Sequence, residues 1–173
     1  APCILTGANE FLGWTHTVNY PDKADAYQLE MTNKTTYIVD GKEHQLIKKK
    51  AKMFIRLLGL RIPISKTYYQ SIYGPALKNK SGVFAIRTPS TTNINALEQW
   101  WRMNKARSFS EFYSVLEWNA LPGYNIGYAD RNDTIFYISN GKIPRRDPSY
   151  NWQKTLPGNT KKTLWDSYYT TQE

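Results

Sequence analysis

Gly13-Trp14-Thr15-His16-Thr17-Val18 is the run that decides how this chain folds. Side chains of a β-strand alternate between the faces of a sheet, so one register sends Trp14, His16 and Val18 to one side and Thr15 and Thr17 to the other. Trp14 and Val18 suit a covered face, and His16 can share it where a neighbouring backbone group satisfies its ring. Asn19-Tyr20-Pro21 then breaks the strand, because proline has no amide to give to a ladder. The run is expected as a strand in the middle of a sheet.

Working outward, residues 3–6, 26–31 and 36–39 are further short β-rich runs separated by turn chemistry. Asp40-Gly41 signals a hairpin into residues 44–48. Residues 52–58 and 62–69 continue the meander through Gly59 and Pro63, and 83–87 adds one more strand. The period then switches. A first helix is expected over about 93–105, with Ile94, Leu97, Trp100 and Trp101 on one side. A second follows a Ser108 cap, with Glu111 at the capping-box position and Phe112, Val115 and Leu116 facing inward. Residues 125–129 and 134–139 alternate around Asp130-Arg131-Asn132-Asp133 as a hairpin. From about 141 the chain is irregular, with Trp152 and Trp165 as its anchors. The fold class is therefore α+β, a strand meander with a helix pair, in one domain over residues 1–173.

Composition agrees with a packed core: 40% of the 173 residues are hydrophobic, including 13 Tyr and 6 Trp. Lys and Arg total 23 against 14 Asp and Glu, a formal charge of +9. Apart from Lys48-Lys49-Lys50 the cations are scattered, and no nucleic-acid motif accompanies them, so no nucleic-acid partner is expected. The single cysteine, Cys3, is expected as a buried small hydrophobe. No apolar run approaches the roughly 20 residues that a membrane-crossing helix needs. There is no HExxH, CxxC, phosphate loop or GxSxG elbow, and His16 and His44 stand alone. By itself the Tyr and Trp content leaves open a non-catalytic module that binds a carbohydrate or another polymer.

A family resemblance goes further. Residues 2–25, PCILTGANEFLGWTHTVNYPDKAD, resemble the β-chain of penicillin acylases and, in the WTHTV core, the acyl-homoserine-lactone and aculeacin acylases. The marks are Gly7-x-Asn9, Trp14 with its Thr-rich strand, and the acids Asp22 and Asp25. Tyr27-x-Leu29, YIVDG (37–41), YQSIYGP (69–75), the helix pair beginning at Ala96 and NIGYAD (125–130) follow in family order.

The resemblance implies an N-terminal nucleophile hydrolase of αββα type, in which autoproteolysis of a precursor frees a serine whose own α-amino group is the base. That serine would lie upstream of Ala1, so this chain is expected to be an internal, inactive piece of a β-chain, with the rest of the precursor as its partner. A small acyl amide would be the substrate, and the setting periplasmic or secreted. The position matching Val18 donates its backbone N–H to the oxyanion, the second donor being an asparagine beyond Glu173. Such a donor must be spared from sheet pairing, so the ladder is expected to end or bulge near Val18. The acyl pocket maps onto Leu5, Thr6, Tyr20, Trp100 and Tyr124, with Thr6 standing where a pocket aromatic is usual. Asp22, Asp25 and the carbonyls of Ala24 and Pro148 match a structural calcium site, which makes calcium the expected cofactor.

Overall fold

The computed structural model describes residues 3–91 and 93–173; the expectation placed on Ala1 lies outside them. In chain order the strands are β1 (Gly7–Ala8), β2 (Leu12–Val18), β3 (Asp25–Gln28), β4 (Glu30–Met31), β5 (Thr36–Val39) and β6 (Lys42–Gln45). There follow β7 (Ile47–Leu57), β8 (Leu60–Ser71), β9 (Gly74–Asn79), β10 (Gly82–Arg87), the helices α1 (Ala96–Lys105) and α2 (Phe109–Leu116), then β11 (Tyr124–Asp130), β12 (Ile135–Asn140) and β13 (Leu156–Pro157). The α+β class is as expected from sequence. The backbone groups into two compact units.

The first unit comprises Ala1–Lys23, Thr88–Arg145 and Asp166–Glu173. Its sheet has the order β1-β2-β11-β12, so β2 lies inside it. The 3.6-residue period of α2 turns Phe112 and Leu116 inward, where both are fully buried, with Val115 half-buried. Phe112 and Phe109 pack on Tyr128 of β11 at ring separations of 4.9 and 5.3 Å, and Phe109 also meets Phe136 of β12. At the start of α2 the Ser108 hydroxyl accepts from the Glu111 amide at 3.3 Å, as the cap predicts. The Glu111 carboxylate reaches back to the Arg107 amide instead of that of Ser108.

Two expectations need correction here. Helix α1 begins at Ala96, and Ile94, Leu97 and Trp101 are exposed while Gln99, Trp100 and Met103 are buried. The cause is Gln99, a polar residue that the periodicity places outside. Its Oε1 accepts from the amides of Ala120 and Leu121 at 2.7 and 3.1 Å, which turns its face of the helix inward. Residues 3–6 form no strand, because their backbone is taken by side chains: Ile4 N–H donates to Asn104 Oδ1, Asn104 Nδ2 donates to Ile4 O, and Trp14 Nε1 donates to Leu5 O. Only Gly7 and Ala8 are left to pair with β2.

The second unit, Ala24–Arg87 with Arg146–Trp165, holds a six-stranded sheet of order β13-β3-β10-β9-β8-β7 and a small β4-β5-β6 sheet. Asp40 and Gly41 take φ of 49° and 75°, the conformation that an Asp-Gly hairpin needs. Tyr27 and Tyr73 stack at 4.6 Å in its core, and burial pushes the Tyr73 phenol up to about 12. The tail from 141 is tied down by Trp165, which is buried, and by Trp152, whose Nε1 donates to the Asp147 carbonyl.

Candidate functional site

Asn9 sets up the strand that carries the expected oxyanion donor. Its Oδ1 accepts from the amides of Phe11 and Leu12, and its Nδ2 donates to the carbonyls of Asn104 and Ala106. One side chain thus closes the β1–β2 turn and ties it to the end of α1, which accounts for an asparagine in the Gly7-x-Asn9 mark.

The direction of the Val18 amide follows from that turn. Leu12 N–H donates to Asn9 Oδ1 and Leu12 O accepts from Asn9 N–H, so both polar groups of Leu12 point to the β1 edge. Phe11 O instead accepts from the Arg131 amide, on the β11 edge. Backbone groups alternate between the two edges of an antiparallel strand, so Trp14, His16 and Val18 point as Leu12 does. Along that edge β1 pairs only with Gly13 and Trp14, and along the other β11 pairs from Leu12↔Asp130 to Val18↔Tyr124. Val18↔Tyr124 is therefore the non-hydrogen-bonded type of pair. The ladder ends there, and the Val18 N–H faces an edge without a strand partner among the described residues.

The side chains divide along the same strand. Trp14 is 4% exposed, whereas Val18 is 80% exposed, which corrects the expectation of a covered Val18. The His16 ring of β2 meets Trp100 of α1 at 6.1 Å and Tyr124 of β11 at 5.2 Å. Trp100 and Tyr124 are 5.8 Å apart. Neither ring nitrogen of His16 makes a hydrogen bond among the described residues, nor does Trp100 Nε1. Burial holds the imidazole below its usual range, against the Leu5 backbone group, which acts to raise its pKa.

Of the expected pocket residues, Trp100 and Tyr124 come together around His16, and Leu5 sits over Trp14 through its carbonyl. Thr6 and Tyr20 are exposed, Tyr20 fully so. Just beyond Val18, Asn19 is buried and donates through Nδ2 to the Asn140 carbonyl at 3.2 Å, while Lys23 Nζ donates to its Oδ1. Gly123 and Gly141 abut beside Tyr124; a Cβ on Gly141 would lie 2.3 Å from Gly123 Cα, so only glycine permits this closure. His16 and Asn19 are lone polar residues with no motif spacing, so the sequence alone does not single them out.

The expected calcium ligands fall in both units, Asp22 in the first and Ala24, Asp25 and Pro148 in the second. Asp22, Ala24 and Pro148 are exposed, and Pro148 lies in a turn. Asp25 is buried, and its Oδ2 accepts from Arg146 Nη2 at 2.8 Å, Arg146 Nε at 3.0 Å and Trp165 Nε1 at 2.6 Å. A guanidinium on the carboxylate does the electrostatic work a divalent ion would do, and among the described residues no group of three or more His, Cys, Asp or Glu could hold a metal. Part of the aromatic content that suggested polymer binding is spent on packing: Trp14, Trp100, Trp165, Tyr27, Tyr37, Tyr73 and Tyr128 are buried.

Comparison with known proteins is consistent with this geometry. The family model described as penicillin amidase matches residues 1–173. The acyl-homoserine lactone acylase PvdQ of Pseudomonas fluorescens is 27% identical over 95% of this chain and 24% of its own length. That of Pseudomonas putida is 25% identical over 84% of this chain and 20% of its own. The chain thus spans about a quarter or less of the curated relatives it matches. A thermostable penicillin G acylase from Alcaligenes faecalis superimposes with a TM-score of 0.85 at 20% identity, covering 99% of this chain and 31% of that one. That likeness shows the fold.

Proposed function

The chain belongs to the penicillin amidase family, and on that premise we propose that it is part of a hydrolase that releases an acyl group from a linear amide. The nucleophile of this reading is a serine at the terminus of the processed β-chain, outside this chain, with its own α-amino group as base. Its hydroxyl attacks the scissile carbonyl, the amine leaves with a proton, and water then clears the acyl-enzyme. Charge on the carbonyl oxygen rests on the Val18 N–H and on a second donor from elsewhere in the protein.

One observation carries the proposal: an amide at the open edge of β2 stands two residues from an apolar, aromatic cluster. Leu5, Trp100 and Tyr124 supply the wall for an acyl chain or ring, with Thr6 and Tyr20 completing it against the rest of the protein. The nitrogens of His16 and Trp100 that find no hydrogen bond among the described residues are where a polar group of the substrate would be received. An acyl-homoserine lactone, as in the names of the relatives, a β-lactam side chain or a lipopeptide is a fitting substrate, and a periplasmic or secreted setting goes with it.

The test is hydrolysis of N-acyl homoserine lactones and phenylacetyl amides by the full-length gene product. Turnover is expected from that product and absent from the 173-residue chain. Turnover by the chain itself, following it through purification, would sink the reading.

A further inference from the structure

The β7–β8 ribbon runs past the rest of its sheet. Strand β9 pairs with β8 only at Tyr69, Gln70 and Ser71, so from Lys50↔Thr67 to the turn the two strands pair only with each other. The turn is Leu58-Gly59, both with positive φ, and Leu58 is 95% exposed. A free two-stranded ribbon is marginal in water, and its open edges are templates for another chain.

Its two faces differ in chemistry. One carries the cross-strand pairs Met53↔Ile64, Ile55↔Ile62 and Leu57↔Leu60, all six residues exposed. The other carries Lys50, Lys52 and the directly opposed Arg56↔Arg61, with the Arg61 guanidinium 4.7 Å over Phe54. Between Ile47 and Ser71 the sequence has seven Lys and Arg and no Asp or Glu. None of the seven forms an ion pair among the described residues. Like charges facing each other across two strands are unfavourable, so the Arg56↔Arg61 pair calls for carboxylates from outside the ribbon.

We propose that this ribbon is the docking arm for the rest of the same precursor, whose polypeptide lays an apolar strip on the Met53–Leu60 side and sets carboxylates against Arg56 and Arg61. This rests on the reading of the chain as part of a longer hydrolase, and the relatives leave room for such a partner, since the chain covers 20–24% of their length. A lipid surface fits less well. Inserting the Leu57-Leu58 tip would draw Arg56 and Arg61, one residue behind it, into hydrocarbon. A nucleic acid would use the cations and leave the apolar face bare.

Hydrogen exchange of residues 50–66 tests the proposal, read in the full-length gene product and in the 173-residue chain. The expected result is exchange slower by roughly tenfold or more in the full-length product, reversed by Arg56→Glu with Arg61→Glu. The wild-type comparison stands even if that double variant fails to fold. Equal exchange in both proteins overturns the proposal. So does salt-sensitive binding of the full-length product to phosphatidylglycerol vesicles or duplex DNA that the double variant abolishes. Amidase turnover with an unprotected ribbon removes this inference and leaves the functional reading; protection without turnover does the reverse.

Discussion

Two antiparallel hairpins of this chain have the same local construction and opposite surroundings. In β11–β12 the Asp130 carboxylate closes the turn by accepting from the amides of Asn132 and Thr134, and the hairpin face bearing Ile126 and Tyr128 is buried under α2. In β7–β8 the Leu58-Gly59 turn is equally regular, yet Met53, Ile55, Leu57, Leu60, Ile62 and Ile64 are exposed on a face that no described residue covers. Turn chemistry and strand period are thus sufficient to form a hairpin. What decides its energetic weight is the element packed on its face.

Truncating a large side chain should separate the two most widely. Phe112→Ala, which removes the cover of Tyr128, is expected to cost about 3–5 kcal/mol in denaturant unfolding. Leu57→Ala on the exposed ribbon should stay within about 0.5 kcal/mol in the 173-residue chain. Comparable losses would erase the contrast.

Arg146→Met asks whether the difference belongs to the whole second unit or to its ribbon. The guanidinium and Asp25 are mostly buried, with 15% and 0% of their side chains exposed. Removing the guanidinium from the buried Asp25 carboxylate should cost about 3–5 kcal/mol by the same measurement. Because the guanidinium already neutralises Asp25, a chelator should leave the melting temperature of the 173-residue chain unchanged. A marked fall on chelation that calcium reverses would place a metal at these residues.

The smallest stability effect should come from His16. Burial depresses its folded pKa, so the unfolded chain binds the proton more readily, and His16 supports the fold above about its ordinary 6.5 and loses that support as pH falls through it. Between about pH 7.5 and pH 5.5 the melting temperature of wild type should drop by a degree or two more than that of His16→Phe. An identical drop would mean that the imidazole is not held neutral by its aromatic neighbours.

Much of this was legible in the sequence where one local rule applied without competition. The alternation from Trp14 to Thr17, the stop before Pro21, the Asp40-Gly41 turn, the Asp130 hairpin and the Ser108 cap all appear as read. Reading failed where a distant side chain replaced a backbone partner. Gln99 serves as an acceptor for Ala120 and Leu121 and so reversed the expected face of α1. Asn104, 100 residues from Ile4, removed the expected first strand. The partner of Asp25, Arg146, lies 121 residues away in sequence, beyond the reach of any local pattern. The candidate site was legible in its strand and in its Trp100–Tyr124 wall. Its open edge depended on how briefly β1 pairs, which no local pattern sets.

That open edge is the centre of the account, and the turnover number of the full-length enzyme tests it most directly through Val18. Val18→Ala keeps the N–H and should leave turnover nearly unchanged, as expected for a side chain that is 80% exposed. Val18→Pro deletes the donor and should lower turnover roughly a hundredfold to a thousandfold, with the folded state checked by circular dichroism. A folded Val18→Pro enzyme that turns over like wild type would contradict the assignment of this amide to the oxyanion.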